Sequence, residues 1–167
     1  MNDFPAEDYR ILVVDDSQSI LEIVRSTLDH HGFQVMTAES GERAMEILEN
    51  EGLPHLALVD INMPMGMDGL ELCDKILQFC DLPIIMLTAV EETSTIVEAI
   101  DRYAEDYMNK PVKSGELLAR VRRVLRSIGN FAYPLEQFVQ VDDNLSVNFA
   151  TQTAVVQGKE VSLTPTE

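Results

Sequence analysis

A few polar positions in this chain could do chemistry together: Asp15, Asp16, Asp60, Thr88 and Lys110. Each falls just after a short apolar run, and in an open parallel sheet ligand sites form at the carboxyl ends of the strands. A lone acid after a strand is an ordinary helix cap, so Asp16 by itself carries little. As a set they fit one task. Carboxylates crowded together repel one another unless a cation joins them, and an all-oxygen donor set favours Mg²⁺. The cation would offset the repulsion between Asp60 and an incoming phosphoryl dianion, letting the carboxylate attack phosphorus and form an aspartyl phosphate. The Thr88 hydroxyl and the Lys110 ammonium would bind phosphoryl oxygens. Phosphoryl transfer needs mainly positioning and charge neutralisation, and these residues offer both.

Such a site requires a fold that gathers distant strand ends on one edge. Apolar runs at Ile11–Val14, Gln34–Ala38, Leu56–Val59, Ile84–Leu87 and Ala104–Met108 predict strands, several of them apolar enough to be buried on both faces. Helical patterns separate them: Ser17–His30 with Gly32 as a stop signal, Gly41–Asn50, Leu70–Phe79, Thr93–Arg102 and Ser114–Arg126. Strand–helix alternation with short loops implies a five-stranded, doubly wound α/β domain with a parallel sheet, ending near Ser127. Residues 128–136, with Gly129, Asn130 and Pro134, read as a linker. Short strands are expected beyond it at Phe138–Val141, Leu145–Phe149, Thr153–Gln157 and Glu160–Leu163, with Gly158-Lys159 as a tight turn. They predict a small antiparallel sheet. Thr164, Pro165 and Glu167 have the order of a helix N-cap, first helical residue and capping-box acid, which suggests a chain cut as a helix begins.

Composition sets the class. With 46% apolar residues the chain is globular, and no apolar run approaches the ~20 residues that span a bilayer. The N-terminal stretch lacks the basic-then-apolar pattern of a signal peptide. Cys73 and Cys80, two helical turns apart, are expected to be reduced thiols packed as small hydrophobes. A cytoplasmic protein with no membrane partner is expected. The net charge of −17 repels phosphate backbones, so any DNA binding must depend on residues after Glu167.

ILVVDDS (11–17), LVDINMP (58–64), MDG (67–69), PIIMLTA (83–89) and DYMNKPV (106–112) resemble the motifs of the receiver domain of two-component response regulators. The resemblance covers about residues 9–127 and implies a flavodoxin-like sheet. It also implies that Asp60 is the phosphoacceptor, served by a sensor histidine kinase. Asp16, Asp60 and the Asn62 carbonyl would hold Mg²⁺, with Asp15 helping through water. Thr88 and Tyr107 would be the switch pair, Lys110 the phosphate-binding lysine, and Pro111 would follow a cis peptide bond. The implied activity is Mg²⁺-dependent self-phosphorylation and slow self-dephosphorylation, not turnover of a substrate. Residues 138–167 resemble the opening of the winged-helix effector domain of the OmpR/PhoB-type subfamily, without its recognition helix and wing. That subfamily implies a transcription regulator that dimerises on phosphorylation, with Asp106, Glu116 and Arg120 on the dimer face.

Some positions depart from the pattern. The loop MPMGMDG (63–69) is one residue longer than usual, which could alter kinase docking or metal geometry. Tyr103 stands where the family usually has glycine, and Ile96 replaces an expected basic partner on the fourth helix. Val90 stands two residues after Thr88, at a position that the resemblance implies helps set how fast the phosphoryl group is hydrolysed; valine cannot orient water, so a slowly decaying phosphoprotein is expected. Other classes remain open at this level. One is a receiver that only binds partner proteins. Another is a haloacid dehalogenase type phosphatase, although Asn62 stands where its motif has a second aspartate.

Overall fold

The structure is a computed structural model of the 167-residue chain that describes residues 4–89, 94–128, 138–140, 145–148 and 153–162. A 3₁₀ turn at Ala6–Asp8 precedes β1 (Arg10–Val14), α1 (Gln18–His30), β2 (Gln34–Ala38), α2 (Gly41–Asn50) and β3 (Leu56–Asp60). Then follow α3 (Gly69–Phe79), β4 (Ile84–Thr88), α4 (Ser94–Tyr103), β5 (Asp106–Asn109) and α5 (Ser114–Ser127). The five strands are parallel in the order β2-β1-β3-β4-β5. Strands β6 (Phe138–Gln140), β7 (Leu145–Asn148), β8 (Thr153–Val156) and β9 (Lys159–Ser162) form a separate antiparallel sheet.

The near-continuous apolar runs have a simple cause. Side chains alternate across a strand, so a strand covered on both faces must be apolar at every position. Ile11 and Val13 join Leu56, Leu58, Ile85 and Leu87 in a core closed by Leu21, Val24 and Leu28 of α1 and Leu117, Val121 and Val124 of α5. Leu12 and Val14 face the other way, with Ala57, Val59, Ile84 and Met86, beneath Ala44 and Ile47 of α2 and Leu72 and Ile76 of α3. Fully burying one such side chain contributes roughly 1.5–3 kcal/mol. The edge strand β2 is only partly buried and carries Gln34 and Thr37.

Local signals set the boundaries. Ser40 caps α2 by accepting the Arg43 N–H, and Asp68 caps α3 by accepting the Glu71 N–H. Gly32, at φ 89°, ends the turn after α1 in the left-handed region. Two expectations need correction. The fifth strand was expected at Ala104–Met108 but spans Asp106–Asn109, because the Ala104 N–H is spent on the Ile100 carbonyl at the end of α4. The tight turn between β8 and β9 is Gln157–Gly158, not Gly158-Lys159. Both turn residues have positive φ, as a type I′ hairpin turn requires, and Lys159 pairs with Val156. The linker apart from Ile128, together with Val90, Thr164, Pro165 and Glu167, lies outside the described residues.

Gly69 opens α3 against the end of β3, and a β-carbon there would overlap the Asp60 carbonyl oxygen. Gly115 in α5 has open space around it. We expect Gly69→Ala to cost about 3 kcal/mol or more in urea unfolding, the upper range of overpacking. Gly115→Ala should be neutral or gain up to about 1 kcal/mol. Equal midpoints for the two variants would contradict this placement.

Candidate functional site

The carboxyl ends of β1, β3, β4 and β5 bring Asp15, Asp60, Thr88 and Lys110 to one edge of the sheet. Asp60 is the last residue of β3 and registers with Leu87, one position before Thr88. Lys110 follows β5, and its N–H donates to the Thr88 carbonyl over 2.7 Å. The parallel order and register therefore convert separations of up to 95 residues into contact. Lys110 Nζ lies 2.7 Å from Asp15 Oδ2 and 3.1 Å from Asp60 Oδ2. The Lys110–Pro111 peptide bond is cis.

Asp15, Asp60 and Thr88 are buried polar side chains, at 0%, 2% and 6% exposure, whereas Asp16 is exposed. Each buried carboxylate has defined partners. Asp15 Oδ1 accepts the Ser17 N–H at 2.9 Å, and Asp60 Oδ1 accepts the Asn62 N–H at 3.1 Å. Burial raises the Asp60 pKa above its ordinary value; Asp15 adds to the rise, while the Asn62 N–H and Lys110 oppose it. Burial alone would lower the Lys110 pKa, but the two carboxylates outweigh it and the net shift is upward. Lys110 is thus held as the cation.

Ligand atoms of Asp15, Asp16 and Asp60 all lie within 4.8 Å of one another. One ammonium beside three carboxylates leaves two negative charges uncompensated, and every donor is oxygen. That charge and chemistry fit a hard divalent cation with an incomplete protein shell, which is the usual mode of Mg²⁺.

On the neighbouring face, Asp106 and Glu116 are paired with Arg120 within one chain, at 3.0 Å and 2.9 Å. Arg123 reaches the same Asp106 at 2.9 Å. Tyr107 is 39% exposed, and its backbone N–H donates to Asp106 Oδ1. Tyr103, unexplained by its sequence position, packs against the core and donates its hydroxyl to Asp74 Oδ1 at 3.3 Å, tying α4 to α3. Sequence reasoning missed Ser17, whose backbone N–H fixes Asp15. It also missed Glu42, whose carboxylate accepts the Met67 N–H at 2.8 Å. Neither has a side-chain signal at the sequence level, since one acts through its backbone and the other lies on a solvated helix face.

Residues 11–122 match the family model described as the response regulator receiver domain. The transcriptional regulatory protein KdpE of Mycobacterium tuberculosis is 36% identical over 157 residues, 94% of this chain and 68% of that protein. The response regulator MprA of Mycolicibacterium vanbaalenii is 35% identical over 159 residues, covering 95% of this chain and 68% of that protein. Among solved structures, a CheY-like receiver domain protein of Methanospirillum hungatei superposes with a TM-score of 0.66 at 32% identity, over 71% of this chain and 94% of that one. Chemotaxis protein CheY4 of Vibrio cholerae superposes with a TM-score of 0.63 at 31% identity, over 70% of this chain and 98% of its own. The chain belongs to the response regulator family, with a receiver domain of CheY-like fold. No helix among the described residues is long and apolar enough to cross a membrane.

The raised Asp60 pKa has a testable sign. Well below the unfolded carboxyl pKa, about 4, the residue is neutral in both states and has no effect on stability. As pH rises past that value and through the higher folded pKa, its ionisation opposes folding. Asp60→Asn should therefore raise the urea midpoint of metal-free protein at pH 7, with the gain vanishing near pH 3. A gain that is the same at both pH values would contradict the burial argument.

Proposed function

We propose that Asp60 is the phosphoacceptor of a Mg²⁺-dependent phosphorylation switch that receives its phosphoryl group from a sensor histidine kinase. Convergence of Lys110 on both Asp15 and Asp60 is the observation that carries this reading. Asp15, Asp16, Asp60 and the Asn62 carbonyl would hold the ion. When bound, Mg²⁺ supplies positive charge that offsets repulsion between the carboxylates and a phosphoryl group. The chain's own residues do the rest. The Asn62 N–H and Lys110 orient the Asp60 carboxylate toward one direction of attack. Asp60 attacks phosphorus in line, and the donor leaves with the bonding pair. Lys110 is then free to shift from Asp60 to the new phosphoryl oxygens, alongside the Thr88 hydroxyl, because its second partner Asp15 keeps it in place.

Thr88 and Tyr107 would form the switch. Drawing Thr88 toward the phosphoryl group would vacate space behind it, and the partly exposed Tyr107 would turn inward. Only a few kcal/mol need separate the two states for one added dianion to bias them. The face bearing Asp106, Glu116 and Arg120 would pair symmetrically in a phosphorylated homodimer, exchanging pairs made within one chain for pairs between chains. We place the receiver domain at 1–127, a linker at 128–136 and the N-terminal sheet of a DNA-binding effector domain at 137–167. The name of KdpE, a transcriptional regulatory protein, supports transcription regulation as the output, which in this reading is exercised on DNA in the cytoplasm. The reaction is self-phosphorylation rather than turnover.

Acetyl phosphate with Mg²⁺ should add one phosphoryl group to wild type by intact mass, and none to Asp60→Asn. Labelling of both would refute Asp60 as the acceptor. Sedimentation with beryllofluoride and Mg²⁺ should shift the chain from monomer toward dimer, and Arg120→Ala should weaken that shift. A monomer at high protein concentration would speak against the dimer face.

A further inference from the structure

The segment from Asn62 to Asp68 leaves the acidic cluster and must return to the start of α3. Its two ends are pegged: Met63 is 2% and Met67 9% exposed, both in the core beneath α2 and α3. Between them Met65 is 81% exposed and Gly66 takes φ 82°, so the middle of the loop bulges outward. Met67 sits so close to α2 that a β-carbon on Gly41 would lie 2.9 Å from its own.

The far peg is fastened by a residue from another element. Glu42 Oε1, in the first turn of α2, accepts the Met67 N–H at 2.8 Å across 25 residues of sequence. Gly66 leaves room for that carboxylate, since a β-carbon in its place would lie 2.6 Å from Oε1. The Glu42 pKa is held below its ordinary value by its own backbone N–H and that of Met67. An ordinary surface glutamate on a first helical turn serves only its own helix. This one holds a loop whose other end is the Asn62 N–H on Asp60 Oδ1.

We infer that Glu42 is a positioning residue: by clasping the Met67 N–H it fixes the 62–68 loop and so sets how tightly the acidic cluster takes a divalent cation. The inference rests on the reading of Asp15, Asp16, Asp60 and Asn62 as the metal site. Glu42 touches neither the ion nor the phosphoryl group. It limits the positions open to Asn62, in the way that outer-shell partners pre-orient metal ligands.

The test uses the whole chain. Amide exchange at Met67 is followed by NMR without metal, and Mg²⁺ affinity by calorimetry, in wild type, Glu42→Ala, Glu42→Gln, Gly66→Ala and Asp60→Asn. Met67 should exchange faster in Glu42→Ala than in wild type. The Mg²⁺ dissociation constant should rise about tenfold in Glu42→Ala and in Gly66→Ala, but stay within about twofold in Glu42→Gln, which keeps an acceptor oxygen of equal reach. Should Glu42→Ala prove unfolded, Gly66→Ala disturbs the same contact from the loop side and decides the matter. Folded Glu42→Ala with wild-type Mg²⁺ affinity, beside a weakened Asp60→Asn, overturns the positioning role alone. Asp60→Asn with wild-type affinity overturns the reading of the metal site, and this inference with it.

Discussion

The ammonium of Lys110, set between two carboxylates at the end of the sheet, is the interaction on which the rest of this molecule depends. Asp15 and Asp60 are almost wholly removed from water, and a buried carboxylate without a partner is costly enough that it would take up a proton instead. Lys110 lies within 3.1 Å of both and lets them coexist side by side. Removing its charge would leave two like charges facing each other in a medium that screens them poorly. The sheet order exists, in this sense, to deliver one cation from β5 across β4 to β3 and β1.

That pairing is deliberately incomplete as electrostatics. Three carboxylates share one ammonium, so the cluster retains negative charge that an added divalent ion can complement. Lys110 bonds two carboxylates at once, so it can exchange one oxygen for another without leaving the cluster. Around this centre the polar contacts are short and local, while the hydrophobic layers on either side of the sheet hold the strand ends in register.

The loop after Asp60 shows how the scaffold holds a long connection between fixed ends. Insertions in surface loops are tolerated when the flanking anchors remain in place, because the entropic cost of extra length is small. Here Met63 and Met67 serve as anchors, Gly66 supplies the left-handed turn, and Asp68 restarts regular structure as a helix cap. Tyr103 does similar work at the end of α4. This bulky residue packs against the core and bonds its hydroxyl to Asp74.

Most of the receiver sheet was legible in the sequence because strands covered on both faces must be apolar at nearly every position. Leu56–Val59 and Ile84–Leu87 could hardly be anything else. The acids after β1 and β3 were legible for a related reason, since chemistry in such sheets gathers at strand ends. The start of β5 was not, because Ala104 and Glu105 form bonds to α4 and β4 that only the folded chain offers. The hairpin turn was misplaced by one residue because register is decided by cross-strand pairing, and Gln157 adopts a positive φ that its side chain does not advertise. Residue type and spacing thus determined which groups could act. Tertiary structure alone decided that Lys110 meets Asp15 and Asp60 together, and that Glu42 reaches the loop beside them, because those contacts join residues far apart in the chain whose local patterns carry no record of one another.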